Sequence, residues 1–494
     1  MPTFSRRPAM EDSIGPTQPK RDACFDFIGL GFGPANLALA IAAEERANRT
    51  SQNSASIYLD IQREFNWHHG MLLDDSRLQV VFLKDLITMV NPRSRYTFIN
   101  YLHQKGRLHE FINLRTFYPT RAEYNDYYKW VAAHFDPLIR YARQIRGVTP
   151  VVEHDGSVNS IDVSAENLST GEIETYRSRN LAVALGGTPI IPAAVHRRRG
   201  ARAFHSSECL YRLKETFEDI RPAYEFVVVG SGQTAADILH HLIRTYPNAK
   251  IRLCMREFAF KPQDDTHFVN ELFFPETTDL FFDMPELKRR ALLAQHKDVT
   301  HSAVDVDLLP LIYDAIYQDK VSGRNRLTIQ RFFELEGAEE NEDSVSAIFR
   351  NHARECSVEI RCDALIMATG YDRNAPLDIL DELRPFLTSD RNGQFQVERN
   401  YNIKRLPGFR PKIYLEGYCE ATHGFSEILL SLLPIRSAEI VDDMFADEAG
   451  LADMELSETL INADTTPEIG VQVREELKNP IAPVGDDQAE RLLK

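Results

Sequence analysis

A chain of 494 residues, 43% hydrophobic and 26% charged, has the make-up of a globular protein and is long enough for two or three domains. Its formal net charge of -16 repels phosphates over most of the surface and argues against a nucleic-acid partner. The six cysteines show no C-x-x-C and no Cys/His zinc spacing, so reduced thiols in a cytoplasmic protein without a metal centre are expected.

Residues 1–21 mix Pro, Ser, Arg and acids without an apolar stretch and read as a disordered tail, not a secretory signal. No apolar run reaches the roughly 18 to 20 residues that span a bilayer, so no membrane partner is expected. The first strand pattern, Cys24-Phe25-Asp26-Phe27-Ile28, runs into Gly29-Leu30-Gly31-Phe32-Gly33-Pro34 and a helical stretch through Leu37 and Ile41. Strand, glycine turn and helix in that order form a dinucleotide cradle: Gly29 permits the turn, Gly31 lets the backbone approach a pyrophosphate, and the helix N-terminus faces the anion. Pro34 replaces the usual third glycine, which the first turn of a helix tolerates. A second strand, Ser56-Ile57-Tyr58-Leu59, ends at Asp60, where an acid accepts hydrogen bonds from a ribose.

The pattern recurs downstream. Phe226 to Val229 leads into Gly230-Ser231-Gly232-Gln233-Thr234 and a helix through Ile238 and Leu242. Here the next strand, Ile251 to Met255, ends in Arg256 instead of an acid, and a guanidinium suits the 2'-phosphate of NADPH. Two such units imply two dinucleotides, a hydride donor and a flavin acceptor being the natural pair. A third apolar strand, Ala364 to Met367, followed by Ala368-Thr369-Gly370-Tyr371, would return the chain to the first unit.

The first glycine fingerprint, Phe65-Asn66-Trp67-His68-His69-Gly70-Met71, Gln79 to Leu86, Asp264 to Glu271, Ala368-Thr369-Gly370-Tyr371 and Thr422-His423-Gly424-Phe425-Ser426 together resemble the flavin-dependent N-hydroxylating monooxygenases, most nearly the fungal-type L-ornithine N5-monooxygenases of siderophore biosynthesis. The resemblance spans about residues 25–433. It implies an α/β fold of two Rossmann-like domains: FAD on 22–205 and 365–455, NADPH on 206–364 as an insertion that includes a small, mostly helical substrate region at about 262–325, and a C-terminal tail at 456–494. It implies FAD contacts at Gly29, Gly31, Gly33, Pro34, Asp60, Trp67, His68, Gln79, His423, Gly424 and Phe425. NADPH would meet Gly230, Ser231, Gly232, Gln233, Thr234, Arg256, Thr300 and His301, and the substrate Lys84, Asn270, Thr300 and Ser426.

The same resemblance implies NADPH- and dioxygen-dependent hydroxylation of the ornithine side-chain amine through a flavin hydroperoxide, with a homotetramer as the assembly. No catalytic acid or base is singled out, because the flavin carries the hard chemistry. Each substrate residue also has a plainer reading: Lys84 as a snorkelling surface lysine, Asn270 as a cap for the turn before Phe273, Ser426 as a cap for the run at Ile428. Thr300-His301 stands where the family carries Asn-Tyr, which leaves lysine or a diamine as alternative substrates. A disulfide reductase would share both nucleotide units but needs a redox cysteine pair, and the sequence has none near a flavin turn. A nucleotide-sensing protein and the flavin S-oxygenases or Baeyer-Villiger enzymes are the remaining rivals. The latter two have no reason to carry an amino-acid-binding Lys84 and Asn270.

Overall fold

Phe27–Leu30 and Ser56–Leu59 are short, apolar and buried along their whole length, as strands covered on both faces must be. They lie inside a five-stranded parallel sheet in the order Lys412–Leu415, Asn180–Val183, Phe27–Leu30, Ser56–Leu59, Ile139–Arg140. The structure is a computed structural model that describes residues 24–74, 76–196, 202–300 and 303–446. The tails expected at 1–21 and 456–494, and His301, lie outside the described residues. The described residues up to Met444 pack as one compact unit, which holds both nucleotide-type sheets.

Between Asn180–Val183 and Lys412–Leu415 the chain builds a second parallel sheet, ordered Ala203–His205, Ala364–Met367, Glu225–Val229, Lys250–Met255, Leu327–Arg331. One nucleotide-type sheet is therefore nested in the sequence of the other, as the α/β reading expects. The expected boundaries at 205/206 and 364/365 fall inside this second sheet. Ala364–Met367 is buried throughout and pairs on both sides, with Ala203–His205 and Glu225–Val229, so it is a central strand of the insertion and not the return to the first sheet.

Each sheet carries a three-stranded antiparallel meander: Arg143–Val152, Val158–Asn167 and Ile173–Ser178 with the first, Phe333–Glu340, Val345–Asn351 and Cys356–Cys362 with the second. Alternating burial along Val158–Asn167 and Val345–Asn351 shows one face packed and one wet. The region expected to be helical is so: Pro275–Asp283, Glu286–Gln295 and Leu308–Val321 follow one another; Phe273, Phe281, Val299 and Phe425 form a small core with the first two, and the third packs through Ile312 on the core of the second sheet. Among the described residues no helix is long and apolar enough to cross a membrane. All six cysteines are free thiols.

Candidate active site

The first glycine turn is built by steric necessity. Gly31 has φ +81°, and a Cβ there would stand 2.6 Å from the Ala184 carbonyl oxygen. Gly29, expected to make the turn, instead lies within the Phe27–Leu30 strand, where a Cβ would fall 2.2 Å from the Tyr58 ring; its bareness serves sheet packing. Gly33 faces open space, with nothing within 4 Å of a Cβ. It stands at the N-cap of Pro34–Thr50, where no side chain caps the helix and proline occupies the first turn. The first-turn N–H groups and the positive end of a 17-residue helix thus point into an open cradle, which fits a pyrophosphate.

Asp60 faces the same turn but is already engaged. Phe32 N donates to its Oδ2 at 2.6 Å and Gln62 N to its Oδ1 at 2.7 Å, while burial pushes its carboxyl up against these bonds. Each oxygen keeps a lone pair for a ribose hydroxyl. The Trp67 backbone N–H donates to Asn125 Oδ1 and its ring packs against Tyr124 and Tyr128; His68 is exposed with φ +47°. His423, Gly424 and Phe425, expected at the flavin, make their protein contacts around the helical region. His423 is buried, stacks on Tyr401 and bonds Arg399 O, while Phe425 packs on Phe281 and Gly424 lies close against the same ring. Here they anchor the helical region.

The second turn repeats the logic. Gly230 has φ +140°, and a Cβ would meet Ala368 O at 2.5 Å; Gly232 is the N-cap of Gln233–Thr245, again without a side-chain cap. This turn borders a cavity of 1710 Å³, larger than the roughly 300–1,000 Å³ that one small ligand needs, so a dinucleotide and a substrate fit together. Gly230 to Thr234, Arg256, Gln79, Lys84 and Asn270 all line it. Residues as far apart as 79 and 263 meet there: Gln79 Nε2 donates to Gln263 Oε1 at 2.5 Å and to Gln233 Oε1 at 3.4 Å, and Asp305 N donates to the same Gln233 oxygen at 2.7 Å. Gln79, expected against the flavin, is the polar join between the segment after the first turn and the second turn itself.

Lys84 sits on a loop made rigid by its neighbour. The buried Asp85 carboxylate accepts from the N–H groups of Ile87, Thr88 and Phe98 at 2.7 to 3.0 Å. Half-burial pulls the Lys84 ammonium below the usual lysine range, and among the described residues it has no ion-pair partner. It is therefore a cation presented to the cavity for an anion. Asn270 donates to Asp265 O at 2.8 Å, a local turn bond, while still lining the cavity. Ser426 does not line it: the hydroxyl is buried and donates to Leu272 O at 3.3 Å. Ser431, five residues on, does line it, and no spacing in the apolar run separates the two serines beforehand. Thr300 ends the short helix Lys297–Thr300.

Two nested parallel sheets, each with a bare helix N-terminus behind a glycine turn, define a two-dinucleotide oxidoreductase, and a large cavity lies beside the second turn. The chain belongs to the L-lysine 6-monooxygenase/L-ornithine 5-monooxygenase family, whose model matches residues 23–373. It is 40% identical to an L-ornithine N(5)-monooxygenase of Burkholderia cepacia over 82% of this chain and 91% of that one, and 38% identical to one of Arthroderma benhamiae over 86% and 89%. Among solved structures it resembles the ornithine N-hydroxylase of Kutzneria sp. 744, described with reduced FAD, NADP+ and L-ornithine, at a TM-score of 0.81 and 33% identity, covering 86% of this chain and 100% of that one.

Proposed function

We infer that this protein is an FAD- and NADPH-dependent monooxygenase that hydroxylates the side-chain amine of L-ornithine, giving N5-hydroxyornithine. The observation that carries the substrate assignment is Lys84: a half-buried, unpartnered cation on a locked loop, facing the cavity that the NADPH turn also borders. A free carboxylate complements it, and an amino acid supplies one while its side-chain amine extends away.

Each group of residues has its own part in this reading. Gly31, Gly33 and the N-terminus of Pro34–Thr50 hold the FAD pyrophosphate, and Asp60 its ribose. Gly230 to Thr234 hold the NADPH pyrophosphate, and Arg256 the 2'-phosphate. Lys84, Asn270 and Ser431 hold the amino-acid end of the substrate. FAD held there would supply the redox chemistry that couples NADPH and dioxygen to oxidation of the amine. The chain's own contribution is placement: the Gln79, Gln233 and Gln263 cluster fixes the wall shared by coenzyme and substrate, and the apolar residues Phe273 and Leu429 shield part of it from water. A homotetrameric assembly and a cytoplasmic location belong to the same reading.

The test is NADPH-dependent hydroxylamine formation by the FAD-loaded protein on L-ornithine, L-lysine and putrescine. Ornithine is expected to give the highest kcat/KM with NADPH oxidation matched to hydroxylamine. Equal use of putrescine, which has no carboxylate, overturns the amino-acid assignment.

A further inference from the structure

We propose that Glu334 is a specificity-determining residue of the coenzyme pocket: it competes with the 2'-phosphate for Arg256 and so holds the preference for NADPH over NADH below what Arg256 alone would set. The proposal rests on the reading of Arg256 as the phosphate-binding cation.

The fold brings these two residues together from distant points of the sequence. Arg256 follows the Lys250–Met255 strand, and Leu327–Arg331 lies parallel beside it with Met255 opposite Arg331. The chain therefore leaves the sheet next to Arg256. Phe332, at φ +63°, turns it into Phe333–Glu340, and Glu334 comes to stand beside Arg256. Its Oε1 is 3.5 Å from Arg256 Nη1, and both residues line the cavity that holds the Gly230 turn.

The second carboxylate oxygen is held as well. His352 Nε2 is 2.8 Å from Glu334 Oε2, and the His352 backbone N–H donates to Phe332 O at 2.9 Å, which ties the imidazole to the same turn. The His352 bond, helped by the Arg256 charge, keeps the Glu334 carboxyl below the usual range, so it is an anion at neutral pH.

An anion there has opposite consequences for the two coenzymes. A 2'-phosphate must displace Glu334 from Arg256 and then lie beside its negative charge. A ribose 2'-hydroxyl carries no charge and can donate to the carboxylate, the part played in NAD-binding folds by an acid at the end of the second strand. In this chain that strand ends in Arg256, and Glu334 supplies the acid from the first strand of the meander that follows Leu327–Arg331. With side chains 72% and 41% exposed, the ion pair is solvated and easily exchanged, so it tunes the choice and does not block the phosphate.

The experiment is calorimetric titration of the FAD-loaded full-length protein with 2',5'-ADP and 5'-AMP, which differ at this position and need no turnover. Glu334→Gln is expected to tighten 2',5'-ADP by about threefold to fivefold, the scale of an exposed ion pair, and to change 5'-AMP by less than about twofold. His352→Ala leaves the carboxylate to Arg256 alone and is expected to weaken 2',5'-ADP. The KM ratio of NADH to NADPH should rise in Glu334→Gln by the same factor. Unchanged or weaker 2',5'-ADP binding in Glu334→Gln, with Arg256→Ala still losing it, means that Glu334 orients Arg256 for the phosphate and overturns the competition. If Arg256→Ala itself binds 2',5'-ADP as the wild type does, the coenzyme reading falls and the proposal with it.

Discussion

Arg121 Nη2 stands 2.9 Å from Asp237 Oδ2, with side chains only 15% and 6% exposed. The pair ties the Arg121–Ala132 helix, which packs its tyrosines into the core beside the Lys84 loop, to the Gln233–Thr245 helix that opens the coenzyme turn. Gln233 Nε2 donates to Asp237 Oδ1 at 2.9 Å, and both residues line the cavity, so the ion pair supports its wall directly. Arg121→Met leaves a buried carboxylate without its cation and is expected to cost about 3 kcal/mol in urea unfolding. Adding Asp237→Leu should restore much of that stability, since an apolar pair of similar volume replaces a costly buried charge. It removes the acceptor of Gln233 Nε2, so KM for NADPH should stay raised in the double variant. A double variant that recovers both stability and KM would show that Asp237 does not position the turn.

The FAD cradle is probed at two glycines with different surroundings. Gly31→Val forces a branched side chain into φ +81° and against Ala184 O, and is expected to abolish flavin content together with some stability. At Gly33 a Cβ has no protein atom within 4 Å, so Gly33→Val should unfold as the wild type does and still purify without its yellow colour. Full flavin occupancy in Gly33→Val would place the pyrophosphate elsewhere.

Lys84→Ala is expected to raise KM for ornithine by about 10- to 100-fold, the cost of a charge-assisted contact of about 1.5 to 3 kcal/mol, while NADPH binding changes little. On putrescine the variant and wild type should be alike. The pH dependence has a definite sign: burial lowers the Lys84 pKa, so its charge and the carboxylate contact are lost as pH rises through that lowered value. The alkaline rise in ornithine KM expected of the wild type should therefore be missing from Lys84→Ala.

A buried triad supports the loop after Lys412–Leu415. Arg436 Nη1 is 2.9 Å from Glu427 Oε1 and its Nε is 3.3 Å from Glu416 Oε2, all three fully enclosed. Glu427 in turn accepts the N–H groups of Gly417 and Cys419 at 2.7 and 2.9 Å. Arg436→Met strands two carboxylates whose pKa values burial already raises, and should cost about 3 to 5 kcal/mol at neutral pH. Because the stranded acids take up protons more readily than in the unfolded chain, the loss should shrink as pH falls. A deficit that is flat with pH would mean the arginine acts through packing alone.

The two nucleotide turns are legible in the sequence because they are local objects: a buried apolar strand, a glycine that must take positive φ and a bare helix start lie within a dozen residues of one another. Arg256 is conspicuous for the same reason, as the residue that ends its strand, whereas Lys84 follows no strand or helix and stands out only through the motif it belongs to. Side-chain destinations across the fold are not legible in this way. Gly29 is glycine because of Tyr58, 29 positions later, and Ser426 and Ser431 differ only in which one a 3-10 turn aims at the cavity. The motif around His423 to Phe425 is as conspicuous in sequence as the flavin turn, yet it packs against Tyr401 and Phe281, which only folding brings near. The extent of the insertion is decided by strand pairing: Ala364–Met367 reads as an apolar strand in isolation, and its membership in the second sheet depends on hydrogen bonds to Ala203–His205 and Glu225–Val229. Local sequence sets backbone geometry through φ, ψ and burial, whereas ion pairs such as Arg256 with Glu334 and Arg121 with Asp237 join residues 78 and 116 positions apart (334 − 256 and 237 − 121), a distance over which no periodicity carries information.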